Sequence, residues 1–132
     1  MSKRILIVED DRDMREALQM TLEAGGFNIS TADEAEKGIL ATLTEKPELI
    51  LLDWRLGTGD GFVVLKNIRM YIQDIPVVVL TGIKDPDLKE RILAEGVDAY
   101  LEKPCDSSIL LETINSILVK KESLNDSQFF QE

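Results

Sequence analysis

The sequence predicts an α/β protein in which five strand–helix units build one parallel sheet with helices on both faces and right-handed crossovers. Three observations predict it. Five short apolar or alternating runs are separated by stretches whose apolar residues recur at helical spacing. Three of the runs, residues 5–8, Leu49–Leu52 and residues 76–80, are apolar throughout, the habit of parallel strands buried on both faces. Most of the runs also end in reactive polar residues, and in a parallel sheet those ends share the carboxyl edge, where α/β proteins place their chemistry.

Residues 5–8 form the first strand and run into Glu9, Asp10 and Asp11. Met14, Ala17, Leu18, Thr21 and Leu22 make the stripe of the first helix, which stops at Gly25-Gly26. Residues 27–31 alternate and read as an edge strand. Asp33 caps a second helix with Ala35, Ile39 and Leu43 inward, and Lys46-Pro47 ends it. The third strand covers 48–53, and a glycine-rich loop with Gly57, Gly59 and Gly61 follows it. The third helix carries Phe62, Leu65, Ile68 and Ile72. The fourth strand, 76–80, ends at Thr81-Gly82, and Asp85-Pro86 starts a helix that runs to Glu95 and stops at Gly96. A short fifth strand, 99–101, leads to Glu102-Lys103-Pro104. Asp106 caps the last helix, whose stripe is Leu110, Ile114, Ile117 and Leu118. The pattern is lost over 120–132, which reads as a frayed tail or the start of a linker, leaving 1–120 as one domain. Met14 and Met20 read as helix packing, and Trp54 as loop packing.

Composition removes several function classes. A chain of 132 residues buries enough surface to need no disulfide or metal staple. It contains no histidine, which excludes Ser-His-Asp triads, histidine metal ligands and a phosphohistidine carrier. The single Cys105 has no disulfide partner, fits a reducing cytoplasm, and reads as a small filler. A net charge of −10 disfavours direct binding to nucleic-acid phosphates. No apolar stretch approaches the roughly 20 residues of a membrane span, and acidic residues follow the first strand too soon for a signal peptide.

Four polar clusters thus converge on one edge: Glu9-Asp10-Asp11, Asp53, Thr81 and Lys103. Carboxylates held together repel unless a cation joins them. An oxygen-only site with few protein ligands suits Mg²⁺, which keeps several waters and often bridges to phosphate. A carboxylate can attack phosphorus and become an aspartyl-phosphate. Mg²⁺ and a lysine would neutralise the transferring oxygens, and a threonine hydroxyl would donate to one of them. Plainer roles are open at each position. Asp10 or Asp11 can cap a helix, Asp11 can face solvent, and Asp53 can be a turn residue. Thr81 can bond the backbone, Lys103 can lie at the surface, and Tyr100 can be a static strand residue.

The chain resembles a receiver domain of a two-component response regulator. The matching segments are ILIVEDD from Ile5, LILLDWRLGTGDG from Leu49, VVVLTG from Val77 and YLEKP from Tyr100, and the resemblance covers about residues 3–120. It implies a flavodoxin-like (βα)5 doubly wound parallel sheet with strand order 2-1-3-4-5. It also implies that Asp53 is the phosphoacceptor. Asp10 would be a direct Mg²⁺ ligand, Glu9 would act through water, and the backbone carbonyl of Arg55 would be a further ligand, with Asp11 the weakest candidate. Lys103 would pair with the phosphoryl group, Thr81 would hydrogen-bond it, and Tyr100 would be the aromatic switch. The phosphoryl donor would be a histidine kinase or phosphotransfer protein. The chain would catalyse its own phosphorylation and dephosphorylation while acting mainly as a cytoplasmic switch.

The face formed by the fourth helix, fifth strand and fifth helix, with Lys89, Ile92, Glu95 and Tyr100, would meet an output domain, a partner protein or a second copy. Two departures stand out. The loop reads Leu-Gly-Thr-Gly over 56–59 where the family usually has a proline, and Cys105 stands where DNA-binding subfamilies often have phenylalanine. Over 109–118 the only charge is Glu112, so the charge-paired dimer seam of the winged-helix subfamily is not evident. Two other classes compete. A haloacid-dehalogenase-type phosphatase needs an acid at the position of Arg55. An FMN carrier needs phosphate donors where Glu9, Asp10 and Asp11 stand.

Overall fold

A computed structural model describes residues 2–56 and 59–130. The elements in order are β1 (Arg4–Val8), α1 (Arg12–Ala24), β2 (Asn28–Ala32), α2 (Ala35–Glu45), β3 (Leu49–Leu52), β4 (Arg55–Leu56), β5 (Gly59–Asp60), α3 (Gly61–Tyr71), β6 (Val77–Thr81), α4 (Pro86–Ala94), β7 (Ala99–Glu102) and α5 (Ser107–Phe130). Five strands form one sheet in the order β2-β1-β3-β6-β7, every neighbouring pair parallel. The expected 2-1-3-4-5 order is therefore present, with β6 and β7 as the fourth and fifth strands. The glycine-rich segment was expected to be a loop. It contains instead the antiparallel pair β4–β5, with Arg55 opposite Asp60 and Leu56 opposite Gly59. Gly57 and Thr58, on which the departure at 56–59 partly falls, lie outside the described residues.

The period of two along each strand divides the interior into two cores. Leu6, Val8, Ile50, Leu52, Val77 and Val79 pack with Ala35 of α2, Val64, Leu65 and Ile68 of α3, and Ile92 of α4. Ile5, Ile7, Leu49, Leu51, Val78 and Leu80 pack with Leu18 and Leu22 of α1 and with Leu110, Ile114 and Leu118 of α5. Helices α1 and α5 thus cover one face, and α2, α3 and α4 the other. The strand ends carrying Glu9, Asp53, Thr81 and Lys103 project from between these layers.

Three helices differ from expectation. In α2 the buried residues are Ala35, Gly38 and Thr42, while Leu43 is exposed and Ile39 only partly buried. The reason is close approach: a Cβ on Gly38 would sit 3.0 Å from both methyls of Val8, so small residues face the sheet. Asp33 does not cap α2. The cap position is Glu34, without a side-chain bond, and Asp33 pairs with Lys37 at 3.1 Å. In α1, Met14 packs on the second core, but Met20 is 71% exposed and Ala17 is also exposed. Helix α5 does not lose its form at Lys120; it continues to Phe130. Its continuation is held to the amino edge of the sheet by Lys121 Nζ, 2.6 Å from the Asp74 carbonyl and 3.2 Å from its carboxylate, and by Lys3–Glu122 at 2.7 Å. Among the described residues, no helix is long and apolar enough to cross a membrane.

Candidate functional site

Four of the five parallel strands position the site. At the end of β1, Glu9 N–H closes the ladder on the Ala32 carbonyl at 3.0 Å, and Asp53 N–H past β3 donates to the Val8 carbonyl at 2.9 Å. Lys103 N–H past β7 donates to the Thr81 carbonyl at 2.8 Å. These backbone bonds fix three functional side chains relative to one another without relying on the side chains themselves. They line an open pocket of about 680 Å³ together with Asp10, Asp11 and Arg55.

One carboxylate oxygen each from Glu9, Asp10 and Asp53 lies within 4.8 Å of the others. Glu9 is 1% exposed and Asp53 8%, while Asp10 is exposed at the mouth. Lys103 Nζ is 2.7 Å from Glu9 Oε1 and 3.5 Å from Asp53 Oδ2, a single cation shared by two buried acids. The other Glu9 oxygen, Oε2, is buried with no hydrogen-bond partner among the described residues. Such an orphan costs roughly 1–3 kcal/mol, and more for a charged group. Burial, reinforced by the adjacent Asp53 carboxyl and opposed by Lys103, lifts the Glu9 carboxyl from 4.5 to about 8. Burial alone would lower Lys103; the Glu9 hydrogen bond and the charges of Asp53 and Glu9 outweigh it, and the ammonium is held above its usual range.

A divalent cation fits this donor set. It would meet three hard oxygen donors, supply the charge that one lysine leaves incomplete, and give the orphaned Glu9 oxygen a partner directly or through water. Asp11 stands apart. Its Oδ1 accepts from Met14 N–H at 2.9 Å as the cap of α1, and it is not one of the three clustered acids. Arg55 N–H faces Asp53 Oδ1 at 3.3 Å, and its side chain is exposed at the pocket.

Thr81 is fully buried, and its Oγ1 accepts from Ile83 N–H at 3.3 Å, which leaves its proton available for donation. Tyr100 donates its hydroxyl to the Ile83 carbonyl at 3.0 Å, so Thr81 and Tyr100 hold the same residue of the β6–α4 loop from two sides. Burial, with the charges of Glu102 and Asp85, raises the Tyr100 phenol. Lys89 lies 5.6 Å over its ring. Of the expected partner face, Lys89 and Glu95 are exposed and Tyr100 is half-buried, but Ile92 is fully buried in the core; the large apolar residue that α4 exposes is Leu93.

One contributor was not singled out from sequence, and a second, Gly61, was named only as part of the glycine-rich loop. Arg15 of α1 reaches back to the Glu9 and Asp10 carbonyls at 3.0 and 3.5 Å. Its partners are main-chain atoms, which leave no residue pattern to read. Gly61 receives the Trp54 ring so closely that a Cβ there would come within 2.3 Å of it. Phe62 meets the same ring edge-on at 4.5 Å, so Trp54 is indeed packing, with 3% exposure. Cys105 packs partly buried against the second core, and burial pushes its thiol up.

The fold and site together define a doubly wound α/β module with an acid triad and a half-buried lysine at the carboxyl edge of its sheet. A family model described as "Response regulator receiver domain" matches residues 5–115, and the chain belongs to that family of two-component response regulators. Among curated relatives, the phosphate regulon transcriptional regulatory protein PhoB of Escherichia coli (strain K12) is 34% identical over 120 residues, covering 89% of this chain and 52% of PhoB. The alkaline phosphatase synthesis transcriptional regulatory protein PhoP of Bacillus subtilis (strain 168) is 34% identical over 123 residues, covering 92% of this chain and 51% of PhoP. The chain spans about half the length of the curated relatives it matches. Among solved structures, a CheY-like receiver domain protein from Methanospirillum hungatei JF-1 is 29% identical with a TM-score of 0.88, covering 93% of this chain and 98% of that one. A two-component response regulator from Clostridium difficile is 32% identical with a TM-score of 0.86, covering 91% and 98%.

Proposed function

We propose that the chain is the phosphoacceptor module of a phosphorelay and that Asp53 receives the phosphoryl group. The observation that carries this is the shared cation: Lys103 bridges Glu9 and Asp53 inside a pocket that also presents Asp10. Glu9, Asp10, Asp53 and the backbone carbonyl of Arg55 would hold Mg²⁺, with Asp11 the weakest contributor. When bound, Mg²⁺ supplies positive charge to the phosphoryl oxygens. The chain's own groups do the rest. An Asp53 carboxylate oxygen attacks phosphorus as the bond to the donor imidazole nitrogen of a histidine kinase or phosphotransfer protein breaks, and the imidazole leaves with the electron pair. Lys103 moves from Glu9 toward the new charge, and Thr81 donates its free hydroxyl proton to a phosphoryl oxygen. Water later attacks the same phosphorus, the bond to the Asp53 oxygen breaks with its electron pair staying on the carboxylate, and inorganic phosphate leaves.

Thr81 and Tyr100 share Ile83, so a shift of Thr81 toward Asp53 is felt by the tyrosine. The face of α4, β7 and α5 then changes toward an output domain, a partner protein or a second copy of the chain. Residues 1–120 serve as the receiver, and 121–132 as a tail or the start of a linker. The domain works in the cytoplasm, and neither nucleic acid nor membrane is its direct partner. The test is acetyl phosphate with Mg²⁺, read by intact mass. Wild-type protein gains one phosphoryl group and Asp53→Ala gains none; an unmodified wild type ends this reading.

A further inference from the structure

We propose that Arg15 is a positioning residue for the cation site, holding the acidic loop from behind. The geometry is specific. Arg15 grips three successive residues of the segment between β1 and α1: its guanidinium Nη1 reaches the carbonyls of Glu9 at 3.0 Å and Asp10 at 3.5 Å, and its main-chain N–H bonds the Asp11 carbonyl at 2.9 Å. The first contact is partly buried, and Arg15 itself is half-buried. Beyond the end of β1, the strand ladder supplies no partner for the carbonyls of Glu9 and Asp10. Arg15 therefore sets the direction of the backbone from which two of the three clustered carboxylates project.

The two cations at this site act differently. Lys103 binds the carboxylates, and an incoming cation competes with it for Glu9. Arg15 offsets the acid charge through carbonyl oxygens and itself occupies none of the clustered carboxylate oxygens. The long, planar guanidinium can serve two carbonyls on a bend; methionine, which has no N–H donor, cannot. Groups that orient metal ligands without touching the metal commonly change affinity by about 10–100-fold when removed.

This inference rests on the assignment of Glu9, Asp10 and Asp53 as the cation site. The experiment is calorimetric titration of Mg²⁺ into the full chain, with acetyl-phosphate labelling at varied Mg²⁺. Arg15→Met is expected to weaken Mg²⁺ binding about tenfold or more. Labelling should return to the wild-type rate at saturating metal, and Arg15→Lys should recover much of the affinity. Arg12→Met, which removes a charge one turn earlier from an exposed side chain paired with Glu16, is expected to leave affinity unchanged. A charge effect alone would make Arg15→Met bind Mg²⁺ more tightly, because a repelling cation is gone. Equal or tighter binding by Arg15→Met overturns the proposal, as does the same loss in Arg12→Met. If wild type itself binds no Mg²⁺, or binds it unchanged after Asp53→Asn and Asp10→Asn, the cation-site assignment fails instead.

Discussion

Glu9 is a buried acid with one oxygen bonded to the Lys103 ammonium and the other without a hydrogen-bond partner among the described residues. Its carboxyl is raised to about 8 in the folded chain. A carboxyl raised on folding binds its proton more tightly in the native state, so stability is greatest below the unfolded value, falls as pH rises, and levels off above the folded value. Metal-free protein is therefore expected to lose stability between about pH 4.5 and 8. Urea unfolding in chelator across that range measures it. Glu9→Gln should flatten the slope and be the more stable protein at the alkaline end. Added Mg²⁺ should restore wild type more at high pH than at low, since the ion binds the deprotonated site. Gly61 makes a second prediction at this scale. Gly61→Ala forces the Trp54 ring aside and should cost about 1–3 kcal/mol in urea unfolding, the range for overpacking.

Among elements, the strands were the most legible. Residues 49–52 and 76–80 are continuous apolar runs, and burial on both faces is their simplest resolution. The acids, threonine and lysine at the strand ends followed because a parallel sheet aligns its ends. The helices were less legible because apolar spacing does not say how near a helix sits. Leu43 completes a good stripe with Ala35 and Ile39, yet Gly38 and Thr42 face the sheet, since only small residues permit the approach of α2 to Val8. Ile92, expected on the partner face, proves to be the residue that α4 buries, because the core claims its side chain. Arg15 was invisible because it serves carbonyls. Asp11 belongs to this scale as well. Its carboxylate caps α1, so Asp11→Ala is expected to lower stability by about 1 kcal/mol. The same change should shift Mg²⁺ affinity far less than Asp10→Asn, as titration of both variants would show.

At the scale of the molecule, two cores share one sheet, and each strand contributes alternate residues to both. A cavity on either side therefore weakens the same strands. Ile114→Ala under α5 and Ile68→Ala under α3 should each cost about 2–5 kcal/mol. Both variants should keep a single unfolding transition, seen when two spectroscopic probes coincide. The continuation of α5 past Lys120 is tied down by Lys121–Asp74 and Lys3–Glu122, both largely exposed. Such pairs contribute little and fade with salt. Ending the chain after Lys120 should thus shift the thermal midpoint only slightly, and less so in high salt.

The packing of Trp54 has a practical outcome. It is the chain's only tryptophan, it follows Asp53 directly, and its ring is sealed between Gly61 and Phe62, with Arg91 of α4 stacked over the phenylalanine at 5.1 Å. The protein thus carries an intrinsic fluorophore next to Asp53, linked to α4 through Phe62 and Arg91. Its emission offers a label-free optical record in which the proposed phosphorylation of Asp53 and any motion of α4 can be timed against each other.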